Sequence, residues 1–184
     1  MCAVYVDDTL FFSPKEENID KLISKLKKDS NMDLEVENSV AGFLGAHIDK
    51  KENDVIKLTQ SGLAKQIVNT LIIGEKSRKF TPAISTPLAK DEDGESGNAP
   101  YSYASVIGML QYLQGYSRPD LTYAVSQCVH FTHSYKRSHE EALERICQYL
   151  KCTMEEELFL KPNIEFDVNV YVDADFAGLW PYED

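Results

Sequence analysis

The sequence is short of several features whose absence narrows what it can be. Its first residues, Met1-Cys2-Ala3-Val4-Tyr5-Val6-Asp7-Asp8, hold no basic region ahead of an apolar stretch and no small-residue cleavage site, so a secreted protein is not expected. No apolar run approaches the roughly 18 residues that a membrane span needs. The 4 cysteines, Cys2, Cys128, Cys147 and Cys152, show no C-x-x-C spacing and no pairing framework. They read as reduced thiols of a cytoplasmic or nuclear protein and are expected as buried small hydrophobes. A phosphate-cradling glycine loop is also missing, which argues against a phosphotransferase built on one. No repeat recurs at a fixed period, although Val-Tyr-Val-Asp occurs at Val4 to Asp7 and again at Val170 to Asp173.

Positive charge is scarce as well. Nineteen Lys and Arg against 30 Asp and Glu leave a net charge of −11, whereas phosphate binding normally leaves a basic footprint. That objection is an average over the chain. Basic residues cluster at Lys21, Lys25, Lys27 and Lys28, at Lys76, Arg78 and Lys79, and at Lys136 and Arg137. Acidic ones gather in Asp91-Glu92-Asp93-Gly94-Glu95, Glu155-Glu156-Glu157 and Glu183-Asp184, which read as solvated loops or ends.

What remains is ordinary for a globular chain: 184 residues, 43% hydrophobic and 27% charged, enough for one complete domain or two incomplete ones. The chain opens in mid-strand rather than on a polar lead-in, so the expectation is that upstream sequence is missing. Val4 to Phe12 is β-branched and aromatic around Asp7, Asp8 and Thr9, two short strands meeting at an acidic turn. Ile19, Leu22, Ile23 and Leu26 then recur at helical spacing within Glu16 to Lys28. Phe43 to Ile48 and Val55 to Leu58, split by the polar Asp49 to Asp54, form a second hairpin. A helix starts at Thr59-Gln60-Ser61, with Leu63, Ile67, Val68 and Leu71 on one side.

From Thr81 to Pro100 the chain is rich in Pro, Gly, Asp and Glu and reads as a flexible loop. Helical periodicity resumes at Tyr101 to Tyr116 through Val106, Ile107, Leu110 and Leu113, and Pro119 opens a further helix. Ser138-His139-Glu140-Glu141 reads as a capping box ahead of a stripe of Ala142, Leu143, Ile146 and Leu150. Leu158 to Leu160 and Val168 to Val172 look like strands that the chain ends without giving a sheet to join.

Adjacent carboxylates at the tip of an apolar hairpin repel each other and resist desolvation, a cost that a divalent cation removes. On a flat strand neighbouring side chains point to opposite faces, so Asp7 and Asp8 can share a cation only if the backbone turns between them. From these residues alone, a solvated Asp-Asp turn and a metal-binding pair are both open. Cys128, His130 and His133 lie close in sequence, but a fourth ligand at sensible spacing is lacking and helical packing accounts for them. Arg118, Lys136 and Arg137 are placed to meet a nucleic-acid backbone, whereas Tyr112, Tyr116 and Tyr149 read as packing residues and His139 as structural.

Tyr5-Val6-Asp7-Asp8 resembles the polymerase signature of reverse transcriptases, and the segments after it are similar in order and spacing to the copia-type retrotransposon family. Phe43-Leu44-Gly45 with Ile48 resembles that family's primer-gripping hairpin, Ile56-Lys57-Leu58-Thr59-Gln60 its lead-in to the thumb, and Thr86-Pro87-Leu88 its linker. The densest resemblance runs from Tyr101 to Thr153 through Val106-Ile107-Gly108, Arg118-Pro119-Asp120, His139, Arg145 and Tyr149-Leu150-Lys151. Lys151-Cys152-Thr153 departs from the family's Lys-Gly-Thr, which puts a left-handed backbone there in doubt. Tyr171 to Gly178 resembles the opening strand of the ribonuclease H that follows.

The resemblance implies an α+β chain: a partial reverse-transcriptase palm of antiparallel hairpins over 1–59, thumb and connection helices over 60–153 with a flexible loop at 81–100, and an incomplete ribonuclease H start over 154–184. It implies two-metal nucleotidyl transfer with Mg²⁺ in the parent enzyme, Asp7 and Asp8 supplying two of three carboxylates and the third standing on an earlier palm strand. Asp173 matches the first ribonuclease H acid, with Asp175 the neighbouring alternative. Phe43, Leu44, Gly45 and Arg118 are the implied nucleic-acid contacts. The implied partners are an RNA or DNA template-primer, deoxynucleotides and a missing upstream polymerase half, with no membrane. The competing expectation is a non-catalytic helical binding module retained by a host from a retrotransposon.

Overall fold

The computed structural model describes residues 1–6, 8–30, 34–37, 42–43, 45–71, 78–161, 170 and 172. Its chain is mixed α+β and divides into two compact units, Met1–Ile48 and Asp49–Asp184. Among the described residues no helix is long and apolar enough to cross a membrane.

In the first unit the alternating β-formers give strands β1 (Cys2–Tyr5) and β2 (Asp8–Phe11), paired antiparallel from Cys2 opposite Phe11 to Tyr5 opposite Asp8. Met1 and Phe12 extend the ladder, each backbone N–H donating to the other's carbonyl at 2.8 Å. Helix α1 (Glu16–Ser30) follows, with Glu16 and Glu17 in its first turn and Lys27 and Lys28 in its last, each sign at the favourable end of the helix dipole. Of the expected stripe, Ile19 and Ile23 are half-buried while Leu22 and Leu26 are exposed.

Phe43 to Ile48 is not one strand, as its alternation predicts. It holds β3 (Gly42–Phe43), a turn, and the start of β4 (Ala46–Lys50), because Gly45 takes the left-handed conformation that reverses the chain. The last two residues of β4 belong to the second unit. There a 3-10 turn over Glu52–Asp54, closed by Lys51 N–H donating to Val55 O at 2.7 Å, leads to β5 (Ile56–Thr59).

Leu158 to Leu160 does find a sheet partner, contrary to the expectation. It forms β6 and pairs antiparallel with β5, Ile56 opposite Leu160 and Leu58 opposite Leu158. A Lys57–Glu157 ion pair lies at the same pairing. The second expected strand, Val168 to Val172, lies outside the described residues apart from Val170 and Val172.

Four helices build the core of the second unit: α2 (Ser61–Thr70), α3 (Tyr103–Tyr116), α4 (Thr122–Val129) and α5 (Arg137–Cys152). Helix α2 packs on α3 and α5, and α4 packs on the same two. Ile67, Val106, Leu110, Leu113, Val125, Leu143, Ile146 and Leu150 are completely or almost completely buried, as their helical spacing predicts. Ser102 caps α3, its hydroxyl accepting from Ser105 N–H at 3.3 Å. Pro119 opens a 3-10 turn, Pro119–Leu121, that runs into α4. Cys152 completes α5 with no left-handed residue there. Thr153 ends the helix instead, its N–H donating to Tyr149 O and Leu150 O and its hydroxyl to Tyr149 O. Two of the four thiols, Cys128 and Cys147, are the buried hydrophobes expected, but Cys2 and Cys152 are exposed.

The start of α5 differs from the capping box that Ser138 to Glu141 predicts. The N-cap is Lys136, two residues earlier, and His139 rather than Glu141 reaches back, its Nδ1 accepting from Lys136 N–H at 2.9 Å. A neutral imidazole with its proton on Nε2 then meets the Ala89 carbonyl at 2.8 Å. The ring is fully buried and stacks on Phe131 at 4.0 Å. Ser138 is thereby free to donate to the Asp91 carboxylate.

These bonds begin a longer attachment. Lys136 Nζ donates to Gly94 O at 3.0 Å, Arg137 N–H to Glu95 O at 2.9 Å, and Gly97 N–H to Tyr135 O at 3.1 Å. The loop rich in Pro, Gly and acids has no regular element, yet from Ala89 to Gly97 it is strapped onto the start of α5.

Replacing His139 by Leu keeps most of the apolar volume but leaves the buried Lys136 N–H and Ala89 carbonyl without partners. The expected cost is about 2–4 kcal/mol in guanidinium unfolding, with faster amide exchange at Lys136 and from Lys90 to Gly97.

Candidate functional site

Because Tyr5 pairs with Asp8, the hairpin between β1 and β2 closes through two residues, Val6 and Asp7. Two-residue hairpins favour turns with positive φ, and Val6 has φ 51°, a strained choice for a β-branched side chain that is 85% exposed. Strain of this kind persists only where the surrounding structure holds it. Asp8 is the first residue of β2. Asp7 and Asp173 lie outside the described residues.

The second expected contact region is the turn between β3 and β4. Gly42 pairs with His47 and Phe43 with Ala46, which leaves Leu44 and Gly45 at its tip. Gly45 has φ 66°, and a Cβ built there would meet nothing within 4 Å, so backbone conformation rather than crowding calls for glycine. Phe43 stands in β3, and Leu44 lies outside the described residues.

Arg118 belongs to the second unit and is only 5% exposed. Its Nε and Nη2 donate to Asp120 at 2.9 and 2.7 Å, a bidentate pair, while Nη1 donates to Thr153 O at 2.9 Å and Nη2 also to Thr153 Oγ1 at 2.6 Å. The guanidinium carbon lies 5.7 Å from the centre of the Tyr149 ring. Its neighbour Ser117 donates to the buried Gln60 Oε1 at 2.9 Å. One short stretch therefore joins the start of α2, the end of α5 and the turn before α4. Arg118 can reach a phosphate only by giving up these bonds.

Sequence reading picked out Arg118 but not its partners Asp120, Thr153 and Tyr149, although the fork of an arginine two residues before an aspartate was the available signal. Lys136 and Arg137 are engaged too, the first on the strap and the second with Glu140 at 2.8 Å and Glu141 at 3.6 Å. The Tyr112 and Tyr116 rings lie against each other at 4.8 Å, partly exposed. Burial pushes the Cys128 thiol up to about 11, and its carbonyl accepts from the Tyr103 hydroxyl at 3.3 Å. Among the described residues no group of three or more His, Cys, Asp or Glu is placed to hold a metal ion.

Burial alone would raise the Asp120 carboxyl, but its bonds to Arg118 outweigh that and hold it below the usual carboxylate range. A lowered folded value means stabilisation that is complete above about pH 5 and is lost as pH falls through that lowered value. Asp120→Asn is therefore expected to cost about 2 kcal/mol at pH 7, discounted for the partial exposure of the carboxylate. In urea titrations the difference from the unsubstituted chain should shrink as the pH is lowered from 7 to 3.

Comparison with known proteins adds the family. The chain is 28% identical over 179 residues, 95% of its length, to the retrovirus-related Pol polyprotein from transposon RE2 of Arabidopsis thaliana, of which it spans 12%. It is 31% identical over 180 residues to an uncharacterized mitochondrial protein of the same plant, covering 95% of this chain and 71% of that one. It is 29% identical over 184 residues to the putative transposon Ty5-1 protein of Saccharomyces cerevisiae, covering 96% of this chain and 57% of that one. No family model matches the chain, and no solved structure matches it. With order and spacing shared along nearly its whole length, the chain belongs to the Pol polyprotein family of copia-type retrotransposons.

Proposed function

We infer that this chain is part of an RNA-directed DNA polymerase. Residues 1–59 contribute to the palm, 60–153 form thumb and connection helices, and 154–184 begin a ribonuclease H in which Asp173 is the first acid. The observation that carries this reading is the hairpin register. Tyr5 opposite Asp8 makes the backbone reverse at Val6, so the adjacent carboxylates escape the opposite-face rule of a flat strand. Carboxylate oxygens are the donors that Mg²⁺ prefers, so the residue types at this turn fit the ion.

In this reading Asp7 and Asp8 are two of three carboxylates that hold metal, and the third comes from a strand outside these 184 residues. Mg²⁺ so held supplies charge stabilisation to the attacking and leaving oxygens of nucleotidyl transfer. The tight turn fixes where the two acids stand before substrate arrives, so less ordering is left for the reaction itself. The Phe43-Leu44-Gly45 turn lies against the primer end. Arg118 serves nucleic-acid binding by holding the helices in register. The partners are a template-primer and deoxynucleotides.

Primer extension tests the reading. The 184-residue chain alone is expected to incorporate no deoxynucleotide with Mg²⁺. Supplied with a separately expressed palm segment bearing the third carboxylate, it should gain template-dependent incorporation through the open edges of its hairpin. Asp7→Asn or Asp8→Asn should lower that activity by at least about a hundredfold. Incorporation that survives both substitutions, or full activity from the chain alone, refutes the assignment.

A further inference from the structure

Between the segment 79–91 and helices α4 and α5 lies a pocket of about 690 Å³, within the size range of small-molecule sites. Its walls are largely apolar, with Ala83, Ile84, Pro87 and Leu88 on one side and Tyr123 and Ile146 on the other. Nothing in the polymerase reading uses it.

The polar groups of the lining are mostly committed. Gln127 Oε1 accepts from Leu88 N–H at 3.1 Å, Asp91 accepts from Ser138, and Glu141 pairs with Arg137. Arg145 is the exception. It lines the pocket, and its Nη2 donates to the neutral Thr81 hydroxyl at 2.8 Å. Its Nε is buried without a hydrogen-bond partner, and none of the ion pairs among the described residues involves it. A buried guanidinium N–H left unbonded is costly, and a carboxylate is the acceptor whose geometry and charge suit it best. Lys79 also lines the pocket. With Asp91 and Glu141 already engaged, two cations stand against the remaining acid, Glu144.

We propose that this pocket binds a small organic carboxylate with an apolar, ring-sized body, the acid group on Arg145 and the body between Ile84, Pro87 and Tyr123. The apolar walls supply affinity and the arginine supplies selection for the anion. The site is independent of the polymerase assignment, since no residue of the Asp7-Asp8 hairpin takes part.

Calorimetry and ligand-observed NMR on the 184-residue chain, with 4-phenylbutyrate and its neutral counterpart 4-phenylbutanol, test the proposal. The carboxylate is expected to bind saturably and at least about tenfold more tightly than the alcohol. Arg145→Gln should abolish that preference. Ile84→Glu, at an exposed position on the rim, should weaken the carboxylate by about tenfold through like-charge repulsion while leaving the helical circular dichroism unchanged. Equal binding of the two probes, no saturation by the carboxylate, or unchanged carboxylate binding in Ile84→Glu overturns the proposal.

Discussion

Much of the second unit hangs on one buried cation. A guanidinium at Arg118 that is almost out of contact with water must have every donor met, or the fold pays for a stranded charge. Asp120 meets it in its own turn, Thr153 meets it at the far end of α5, and the Tyr149 ring lies beneath it. These partners lie about one to three dozen residues apart in the chain, so satisfying them sets where the turn after α3 sits against the last turn of α5. The apolar stripes of α2 to α5 drive the helices together without choosing a register. Directional bonds at Ser117 and Arg118 choose it.

His139 does comparable work at the other end of α5. A buried imidazole with one accepting and one donating nitrogen demands two specific backbone partners, and it finds them at the helix start and in the segment that precedes α3. The two ends of one helix are thus held by different chemistry, a charged fork at one and a neutral ring at the other. Between them the side chains that face the core are apolar and close-packed, with Leu143, Ile146 and Leu150 fully or almost fully buried.

Periodicity made the helices legible: Val106, Ile107, Leu110 and Leu113 sit where their spacing puts them, and so does the stripe of α5. Alternation found the first hairpin for the same reason. Two kinds of feature were hidden. A glycine with positive φ breaks a run that reads as one strand, and Gly45 gives no sign in composition that it will turn the chain. Long-range hydrogen bonds leave no local pattern either, so the strap over α5 read as a loose loop and the helix start was placed on Ser138 rather than Lys136. At the candidate site the acid pair and its turn could be read from the order of residues, because carboxylates beside a hairpin tip are chemically unusual. The partners of Arg118 could not, since two of them sit on the far end of another helix.

Gly97 shows how unevenly this chain tolerates change. A Cβ there would fall 2.1 Å from the Tyr135 ring, which is stacked at 4.5 Å on the buried ring of Tyr103. The tyrosine has another ring at its back and cannot retreat without disturbing the core. Asp91 to Glu95, only a few positions earlier, lend the strap chiefly their carbonyls, which any residue offers. Sequence drift in a lineage of such elements is therefore free to rewrite most of this acidic run, while position 97 admits no side chain at all.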